Sequence, residues 1–565
     1  MKTAGEAVEW SPASVSEAAE LLRGAGYAGW LAELLARRGV SDPQAAEAFL
    51  HPDLSQLHDP HLLAGCDQAV TLLMRARERG ETVALVGDYD VDGVSATALL
   101  TAVLRACSVD VRPILPHRMR DGYGFQPVHV ERARALGCRV VVTVDCGTSA
   151  VRAASAALAA GLDLVVTDHH LPGEALPAGV VHINPRQAGC TYPFGELSGA
   201  GLALKLATAF AAACQRPIDP RRLLRIACLG TIADLVPLRG ENRVIAAIGL
   251  RELGRTRSPG LRELIRIAGL KSPYSTADVG FRLGPRLNAP GRLDSADAAL
   301  ELLLSRDARR AAQLAAELDR WNRERQDWER RVVADAREMF LERERRPAIL
   351  MAWSEHWHRG VLGIAAGRLA REFHRPTILL AVEDESATGS GRSIPGIHLF
   401  RFLSRWKEEL VRFGGHAQAI GMTVDHEQLA QLRQRWEEAA AESWAAEIAV
   451  RRFEYELELR PRDLTPELYA EIQRLEPHGE GNKQPLIRLC GPLRLVRSPR
   501  FFGAGHLTAE AVGSDGGRIG LLGWGWQERA ASLQGEFEVL GYLENDRYRG
   551  RPVLRLVDCR SQREG

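Results

Sequence analysis

The sequence has few cysteines and no C-x-x-C pair. Its nine cysteines are scattered from Cys66 to Cys559, so the sequence predicts neither a zinc ribbon nor a disulfide framework, and we expect reduced thiols. No apolar run is long enough to span a bilayer, and we therefore expect no membrane contact. The N-terminal segment MKTAGEAVEWSPASVSEAAELL lacks the basic start and apolar core of a signal peptide, which predicts a cytoplasmic protein.

The sequence also lacks an excess of either charge. Lys plus Arg number 73 against 72 for Asp plus Glu, so the net charge indicates no particular partner. A polyanion would have to bind local clusters of Arg and Lys. At 565 residues the chain is too long for one hydrophobic core, and we expect several domains.

Short β-rich runs alternate with helical patterns from about residue 82 to 240. Runs such as TVALVG, CRVVVTV and LDLVVT are continuously apolar, which is typical of parallel strands that helices cover on both faces. The whole chain is predicted to be α/β with five parts. These are a helical lead-in at 1–75, a parallel-sheet domain at 76–297, a connecting helix at 298–346, a smaller α/β domain at 347–451, and a β-barrel, with an OB-fold as the leading candidate, at 452–565.

Acidic residues and histidines follow the ends of three predicted strands. The motifs LVGDYDVDG, VVVTVDCG and LDLVVTDHH contribute Asp88, Asp90, Asp92, Asp145, Asp168, His169 and His170. A helical pattern in LGTIADLVPL places Asp234 at its end. Because the carboxyl ends of parallel strands share one edge of a sheet, we expect these side chains to converge.

Carboxylates with one or two histidines and no thiolates are ligands that suit Mn²⁺ or Mg²⁺. Two such ions, about 3.5–4 Å apart and bridged by a carboxylate, activate a water and stabilise the leaving oxygen during in-line attack on phosphorus. A single Asp after a strand is more often a helix cap or turn residue, but the combined set favours a metal site. Asp88 is a ligand, a partner of a ligand or a helix cap, and Asp168 is a ligand or orients a histidine.

In this order, the motifs GDYDVDG, VVTVDCG, VVTDHH and GTIADLVPL resemble those of the DHH phosphoesterase superfamily. Later segments, including GPRLNAPGRLDSA, WHRGVLGIAAGRLA and FGGHAQAIGM, narrow the resemblance to the RecJ family of single-strand-specific 5′–3′ DNA exonucleases. The resemblance spans most of the chain. It implies that the two α/β domains are DHH and DHHA1 domains and that the barrel is an OB-fold.

The resemblance also implies which residues hold the metals. Asp92, Asp145, His169 and Asp234 would hold one ion, Asp90 and the bridging Asp145 would hold the other, and His170 would lie beside the scissile phosphate. Related proteins have a histidine four residues before the position of Asp90, where this sequence has Val86. The second ion would therefore depend on Asp88, water and substrate oxygens.

Candidate substrate-binding residues lie outside these motifs. The resemblance implies that the GSGRS loop contacts the 5′ end of the substrate. Backbone N–H groups at Gly389 and Gly391 would approach a phosphate, and Ser390 and Arg392 would bind it, unless the segment is only a flexible surface turn. The remaining candidates, for which solvated or structural side chains are the alternative, are Arg118, Arg286, Arg292 and His416.

The C-terminal segment interleaves basic and aromatic residues, which is typical of single-strand binding by phosphate contact and base stacking. The residues are Arg488, Arg494, Arg497, Arg500, Phe501, Phe502, Trp524 and Trp526. For the two tryptophans of GWGW, a place in the barrel core is the favoured alternative.

These observations predict a metal-dependent hydrolase of phosphodiesters, and the resemblance implies an exonuclease that degrades single-stranded DNA processively from 5′ to 3′ into 5′-mononucleotides during DNA repair and recombination. Single-stranded DNA is the expected partner, a helicase and a single-stranded-DNA-binding protein are candidate partners, and we expect a monomer. One alternative is a DHH-family phosphodiesterase that cleaves short oligoribonucleotides or cyclic dinucleotides. Another is a non-catalytic replication scaffold, against which the intact set of acidic residues argues.

Overall fold

The computed structural model describes residues 7–14, 16–118, 120–122, 124–173, 176–216, 218–343, 346–503, 505–546 and 551–561. The chain forms two compact units. The first contains residues 12–319 with 455–565, and the second contains residues 1–11 with 320–454. The first six residues of the segment used for the signal-peptide prediction lie outside the described residues. Among the residues that are described, no helix combines the length and the apolar composition needed to cross a membrane.

The lead-in segment folds mainly as short helices, as predicted, and also contains one strand. Its elements are β1 (Ala7–Pro12), α1 (Ala18–Gly24), α2 (Gly29–Arg37), α3 (Pro43–Leu50) and α4 (Cys66–Arg79). The segment HPDLSQLHDP interrupts the helices because Asp53 and Asp59 accept hydrogen bonds from the backbone N–H groups of Ser55 and His61 and start short turns there.

The first sheet consists of five parallel strands in the order β3-β2-β4-β5-β6. Its elements are β2 (Thr82–Gly87), α5 (Val91–Ala106), β3 (Val111–Ile114), α6 (Pro127–Ala135), β4 (Cys138–Val144), α7 (Val151–Ala159), β5 (Asp163–Thr167) and β6 (Val181–Ile183). Successive residues of β2 enter different apolar clusters, with Leu85 in one and Val86 in the other. Both faces of the sheet are therefore buried, which confirms the prediction from its apolar runs.

A helical region follows the first sheet. It contains α8 (Gly199–Ala213), α9 (Pro220–Ala233), α10 (Gly240–Leu253), α11 (Pro259–Ile267), α12 (Thr276–Asp278), a π-helix (Val279–Leu283), α13 (Gly284–Leu293), α14 (Asp297–Leu304) and α15 (Ala308–Leu341). The segment predicted as one connecting helix is thus two helices. They are separate because Asp307 accepts a 2.7 Å hydrogen bond from the Arg310 backbone and caps the start of α15.

The segment that carries Arg286 and Arg292, GPRLNAPGRL, contains two glycines and two prolines. It forms the helix α13. Pro285 stands in the first turn of α13, where the missing N–H of proline costs no helical hydrogen bond.

The second compact unit contains a five-stranded sheet in the order β10-β11-β9-β8-β7. Its elements are β7 (Leu350–Ser354), α16 (Leu362–Phe373), β8 (Thr377–Glu383), β9 (Ser386–Arg392), α17 (Leu399–Leu403), β10 (Arg412–His416), β11 (Ala419–Asp425), α18 (Leu429–Ala449) and β12 (Val450–Tyr455). Strands β7 and β8 are parallel. The other neighbouring strands are antiparallel, so the unit is α/β with a mixed sheet.

The C-terminal segment closes into a barrel, which confirms the predicted fold class. Its elements are β13 (Leu457–Leu459), α19 (Pro466–Gln473), β14 (Leu486–Leu495), β15 (Arg500–Phe502), β16 (His506–Gly513), β17 (Arg518–Gly523), β18 (Phe537–Asp546) and β19 (Arg551–Ser561). Pairing of β14 with both β18 and β16 closes a ring of five strands. Trp526 is buried in the core of the barrel, as favoured from the sequence, but Trp524 is 53% exposed beside Phe502 and His506.

Candidate metal centre

The acidic motifs meet at the carboxyl edge of the first sheet. Asp88 follows β2, Asp145 follows β4 and Asp168 follows β5. Asp234 reaches this edge from the end of α9, which it terminates as the C-cap residue. The structure therefore brings together side chains that are far apart in the sequence.

His169 lies at the centre of the cluster. Its Nε2 atom is 3.1 Å from Asp145 Oδ1, 3.5 Å from Asp234 Oδ2 and 3.9 Å from Asp92 Oδ2. Burial lowers the pKa of His169 to about 4, so the imidazole is neutral near pH 7 and a ring nitrogen can act as a ligand.

Three groups of side chains each have one ligand atom apiece within 4.8 Å of one another. The groups are Asp92 with His169 and Asp234, Asp88 with Asp90 and Asp145, and Asp145 with His169 and His170. Asp145 belongs to two of them and lies beside His169 of the remaining one. The three groups therefore adjoin one another through Asp145 and His169.

Asp92 is fixed by the start of α8. Its two carboxylate oxygens accept hydrogen bonds of 2.6 Å and 2.9 Å from the backbone N–H groups of Gly199 and Ala200. A Cβ on Gly230 would lie 2.3 Å from Asp92 Oδ1, and one on Gly199 would lie 2.5 Å from the Asp145 Cβ. The two glycines therefore leave the space that the carboxylates occupy.

Gly230→Ala should lower the rate of the reaction at the metal centre by about 10²-fold. The added methyl group would displace Asp92, and a small displacement of a catalytic group has an effect of this size. Steady-state kinetics with saturating Mn²⁺ would measure the loss. Gly280→Ala is the matched control, since nothing lies within 4 Å of a Cβ at that position. Equal activity of the two variants would show that Gly230 does not position Asp92.

Asp90 has one of the roles that the sequence left open for acids after a strand, that of a helix cap. Its Oδ1 atom caps α5 by accepting hydrogen bonds from the N–H groups of Asp92 and Gly93. Asp88 accepts a hydrogen bond from Tyr89 N–H and is close enough to Asp90 and Asp145 to share a cation with them. Val86 is fully buried in an apolar cluster and offers no ligand atom.

Asp168 orients His170. Burial alone would raise the pKa of Asp168, but hydrogen bonds from His170 Nδ1 and Thr148 N–H hold it at about 2. Burial would likewise lower the pKa of His170, whereas the bond to Asp168 raises it to about 9. His170 is 44% exposed, and its raised pKa keeps the ring protonated near pH 7.

Without a counter-charge, burial and mutual repulsion destabilise the ionised forms of these carboxylates. Burial, followed by the charge of Asp90, raises the pKa of Asp92 to about 7. Burial, followed by the charge of Asp92, raises the pKa of Asp234 to about 8 and that of Asp145 well above its ordinary value. A bound cation would remove this cost by stabilising the ionised forms.

The residues fit a divalent cation. Asp145 Oδ1 and His169 Nε2 are buried and make no hydrogen bond to the described residues. Buried polar atoms without a partner cost free energy, and a cation between them would satisfy both. Oxygen ligands with one or two imidazoles are the set that Mn²⁺ and Mg²⁺ accept.

Two of the three arginines predicted on the first unit lie near this centre. The Arg118 guanidinium stacks on Tyr89, 5.2 Å from its ring centroid. Arg292 follows Gly291, at which a Cβ would lie 2.8 Å from the Tyr89 carbonyl oxygen. Arg286 instead donates to Asp319 at 2.9 Å and to the Arg282 carbonyl, which gives it a structural partner.

The GSGRS segment is not a loop, and the predicted use of its backbone is wrong. Its residues up to Arg392 belong to β9, which pairs with β8 on one side and with β11 on the other. The N–H groups of Gly389 and Gly391 are therefore committed to the sheet. The glycines are explained by packing, because a Cβ would lie 2.1 Å from Leu379 O at the first and 2.7 Å from Ile420 Cγ1 at the second.

The side chains of the same segment share one face of the second sheet. Arg392 pairs with Ala419, which pairs with His416, and Ser390 lies two residues before Arg392. Residues paired in register lie on the same face, so Ser390, Arg392 and His416 are brought together. Gly363 in α16 leaves room for the guanidinium, because a Cβ there would lie 2.7 Å from Arg392 Nη2.

The sequence reasoning missed Asn184 and Ser198. Asn184 is buried and donates hydrogen bonds to Thr148 Oγ1 and to the His170 carbonyl oxygen. The feature of the sequence that indicates Asn184 is its position as a polar residue directly after the apolar run that contains β6. Ser198 caps α8 by accepting a hydrogen bond from Gly201 N–H, and the segment LSGAG carried the corresponding signal of a capping residue followed by glycines.

Three protein-family models match the chain. They are the DHH family, N-terminal domain, at residues 82–231, the DHHA1 domain at 346–442 and the RecJ OB domain at 455–557. The parallel sheet, the mixed sheet and the barrel respectively occupy these segments.

Two proteins of similar sequence share one name. The single-stranded-DNA-specific exonuclease RecJ of Bacillus subtilis (strain 168) is 39% identical over 460 residues, which cover 81% of this chain but only 58% of that protein. The protein of the same name from Salmonella typhimurium (strain LT2) is 34% identical over 557 residues, which cover 93% of this chain and 94% of that protein.

Solved structures are similar over almost the whole chain. The crystal structure of RecJ in complex with Mn²⁺ from Thermus thermophilus has a TM-score of 0.82 and 30% sequence identity, and the alignment covers 99% of this chain and 80% of that one. The Mg²⁺ complex from the same organism has a TM-score of 0.78 and 28% identity, with coverage of 99% and 79%.

Proposed function

Since this chain belongs to the RecJ family of single-stranded-DNA-specific exonucleases, we propose that it is a metal-dependent exonuclease that hydrolyses single-stranded DNA. The observation that carries the proposal is the convergence of Asp88, Asp90, Asp92, Asp145, His169 and Asp234 at one sheet edge, with buried atoms that lack partners. The activity runs from 5′ to 3′ and releases 5′-mononucleotides processively.

The proposed ligand set follows the geometry of the cluster. Asp92, Asp145, His169 and Asp234 hold one cation, and Asp90, Asp145 and Asp88 hold the other. When bound, the divalent ions supply Lewis acidity at the phosphate oxygens and neutralise developing negative charge. His170, which Asp168 holds in its protonated form, donates a hydrogen bond to an oxygen of the scissile phosphate.

Other residues hold the strand. Arg118 and Arg292, which both lie beside Tyr89, bind phosphates next to the centre. In the second unit, Ser390 and Arg392 bind the 5′ phosphate, with His416 on the same sheet face. On the barrel, the exposed rings of Phe502 and Trp524 stack on bases of the strand.

The proposed cellular setting is the cytoplasm, where the protein acts as a monomer in DNA repair and recombination. A helicase that supplies single strands and a single-stranded-DNA-binding protein that covers them are the proposed partners. The OB domain and the exonuclease names of the relatives favour this function over cleavage of short oligoribonucleotides or cyclic dinucleotides.

Digestion of labelled DNA tests the proposal. With Mn²⁺, a long single strand labelled at its 5′ end should release labelled mononucleotide at once, whereas a 3′-labelled strand should release its label only after the rest of the strand has been digested, with few intermediate lengths. A blunt duplex of the same sequence is the control and should persist. Faster cleavage of dinucleotides than of long strands would contradict the proposal, and immediate release of the 3′ label would contradict its direction.

A further inference from the structure

Two exposed leucines directly follow residues of the metal centre. Leu171 is 73% exposed and comes after His170, and Leu235 is 71% exposed and comes after Asp234. Because consecutive Cα atoms are about 3.8 Å apart, both side chains begin within one residue of the cluster. Single exposed leucines are common on proteins, so exposure alone assigns no role.

The backbone of Leu235 distinguishes it from an ordinary surface leucine. Its φ angle is +60°, in the left-handed region that is unfavourable for a side chain with a Cβ. It is the first residue beyond the C-cap of α9, a position at which glycine is strongly preferred. The side chain gains no burial in return. Neither backbone preference nor packing therefore explains a leucine here, and such strain is characteristic of functional positions.

The neighbouring chemistry indicates what these leucines contact. Under the proposed function, phosphate oxygens are bound by His170, by the nearby arginines and by the cations that the acidic cluster would hold. A nucleotide whose phosphate lies at the centre also presents the apolar faces of its base and deoxyribose. The two leucines offer apolar surface next to the residues that meet the phosphate.

We propose that Leu235, assisted by Leu171, binds the base and deoxyribose of the nucleotide whose phosphate lies at the metal centre. The inference rests on the proposed function and adds a nucleotide-positioning contact to it. The contact is present in the bound substrate as well as in the transition state. Its loss should therefore raise KM and leave kcat unchanged.

Three substitutions of Leu235 test this contact. Leu235→Gly and Leu235→Asn remove the apolar side chain and introduce residues that tolerate a left-handed backbone. Both should raise the KM for a single-stranded oligonucleotide about tenfold, as expected when half or more of the burial of a leucine is lost. Leu235→Met, which keeps an apolar side chain, should recover most of the affinity. Combining Leu171→Ala with Leu235→Gly should raise KM further.

Gln215 provides the matched control. It is exposed, has a φ angle of +53° and follows the C-cap of α8, at the end of that helix remote from Gly199. Gln215→Gly and Leu235→Gly should both raise Tm by relieving left-handed strain, but only Leu235→Gly should raise KM. Mn²⁺ affinity, measured by calorimetry, should be the same in both variants and in the wild type.

The possible results distinguish failure of the leucine contact from failure of the proposed function. An unchanged KM in Leu235→Gly and Leu235→Asn would overturn the contact, and so would a lower Tm in Leu235→Gly, because the leucine would then be packing against the fold. Weaker Mn²⁺ binding would also overturn it, since the effect would then arise through Asp234. A wild-type protein that leaves single strands intact would instead overturn the proposed function, before any variant is compared.

Discussion

Asp145→Asn should lower the turnover of single-stranded DNA in Mn²⁺ by at least about 10³-fold, the scale of losing one preorganised group that stabilises charge in the transition state. Asp145 carries the largest expected effect because its carboxylate belongs to two of the three groups of candidate ligands and adjoins the third. Asparagine keeps the size of the side chain but removes the charge that we propose bridges two cations. Binding of the strand in EDTA should remain largely intact, as measured by fluorescence anisotropy.

The same substitution should not unfold the protein. Burial and the neighbouring carboxylates raise the pKa of Asp145, so a neutral side chain relieves repulsion in the metal-free state. In EDTA the variant should melt at the wild-type temperature or above it. Mn²⁺ should no longer raise the melting temperature, because an ion stabilises only a protein that binds it.

Asp163→Asn is the matched control for Asp145→Asn. Asp163 begins β5, whereas the acidic motif that contains Asp168 follows the end of this strand. It pairs with Arg75 on the surface, and its substitution should leave turnover within about twofold, as expected for a surface position. Appreciable turnover by Asp145→Asn, or an equal loss in Asp163→Asn, would remove the bridging role.

His170→Ala should lower kcat by about 10²–10³-fold, within the range that a positioned acid–base group contributes. His170 is held by Asp168 Oδ1 at 2.7 Å and is 44% exposed, and we propose that it donates to a phosphate oxygen. Single-turnover kinetics at saturating DNA and Mn²⁺ would isolate this effect from binding.

Mn²⁺ affinity separates two roles for His170, because its ring also lies within ligand distance of Asp145 and His169. Unchanged affinity in His170→Ala together with a low kcat agrees with a phosphate contact. A parallel fall of both would identify a metal ligand instead. His182→Ala, on β6 with its ring bonded to the Pro177 carbonyl, is the control and should retain wild-type kcat.

The edge of the first sheet was predictable because strand ends are visible in the sequence. Apolar runs that end in Asp88, Asp145 or Asp168 identify both the strand and the residue that leaves it. The parallel order of the strands then brings these residues together. The packing around them was not predictable, since Gly199 and Gly230 are required only because other helices approach the carboxylates in three dimensions.

Glycine-rich segments were the main source of error. GSGRS has the composition of a turn, yet its residues up to Arg392 lie in a central strand. The glycines are needed there because Leu379 and Ile420 of the neighbouring strands leave no space for a Cβ. The segment around Pro290 likewise has turn composition but forms α13. In both cases tertiary packing overrode the local preference of the residues.

Anomalous diffraction from a crystal soaked in Mn²⁺ tests the central claim most directly. Two peaks should appear about 3.5–4 Å apart, one among Asp92, His169 and Asp234 and the other between Asp90 and Asp88, with Asp145 touching both. A crystal that shows these side chains ordered but no anomalous density among them would contradict the account.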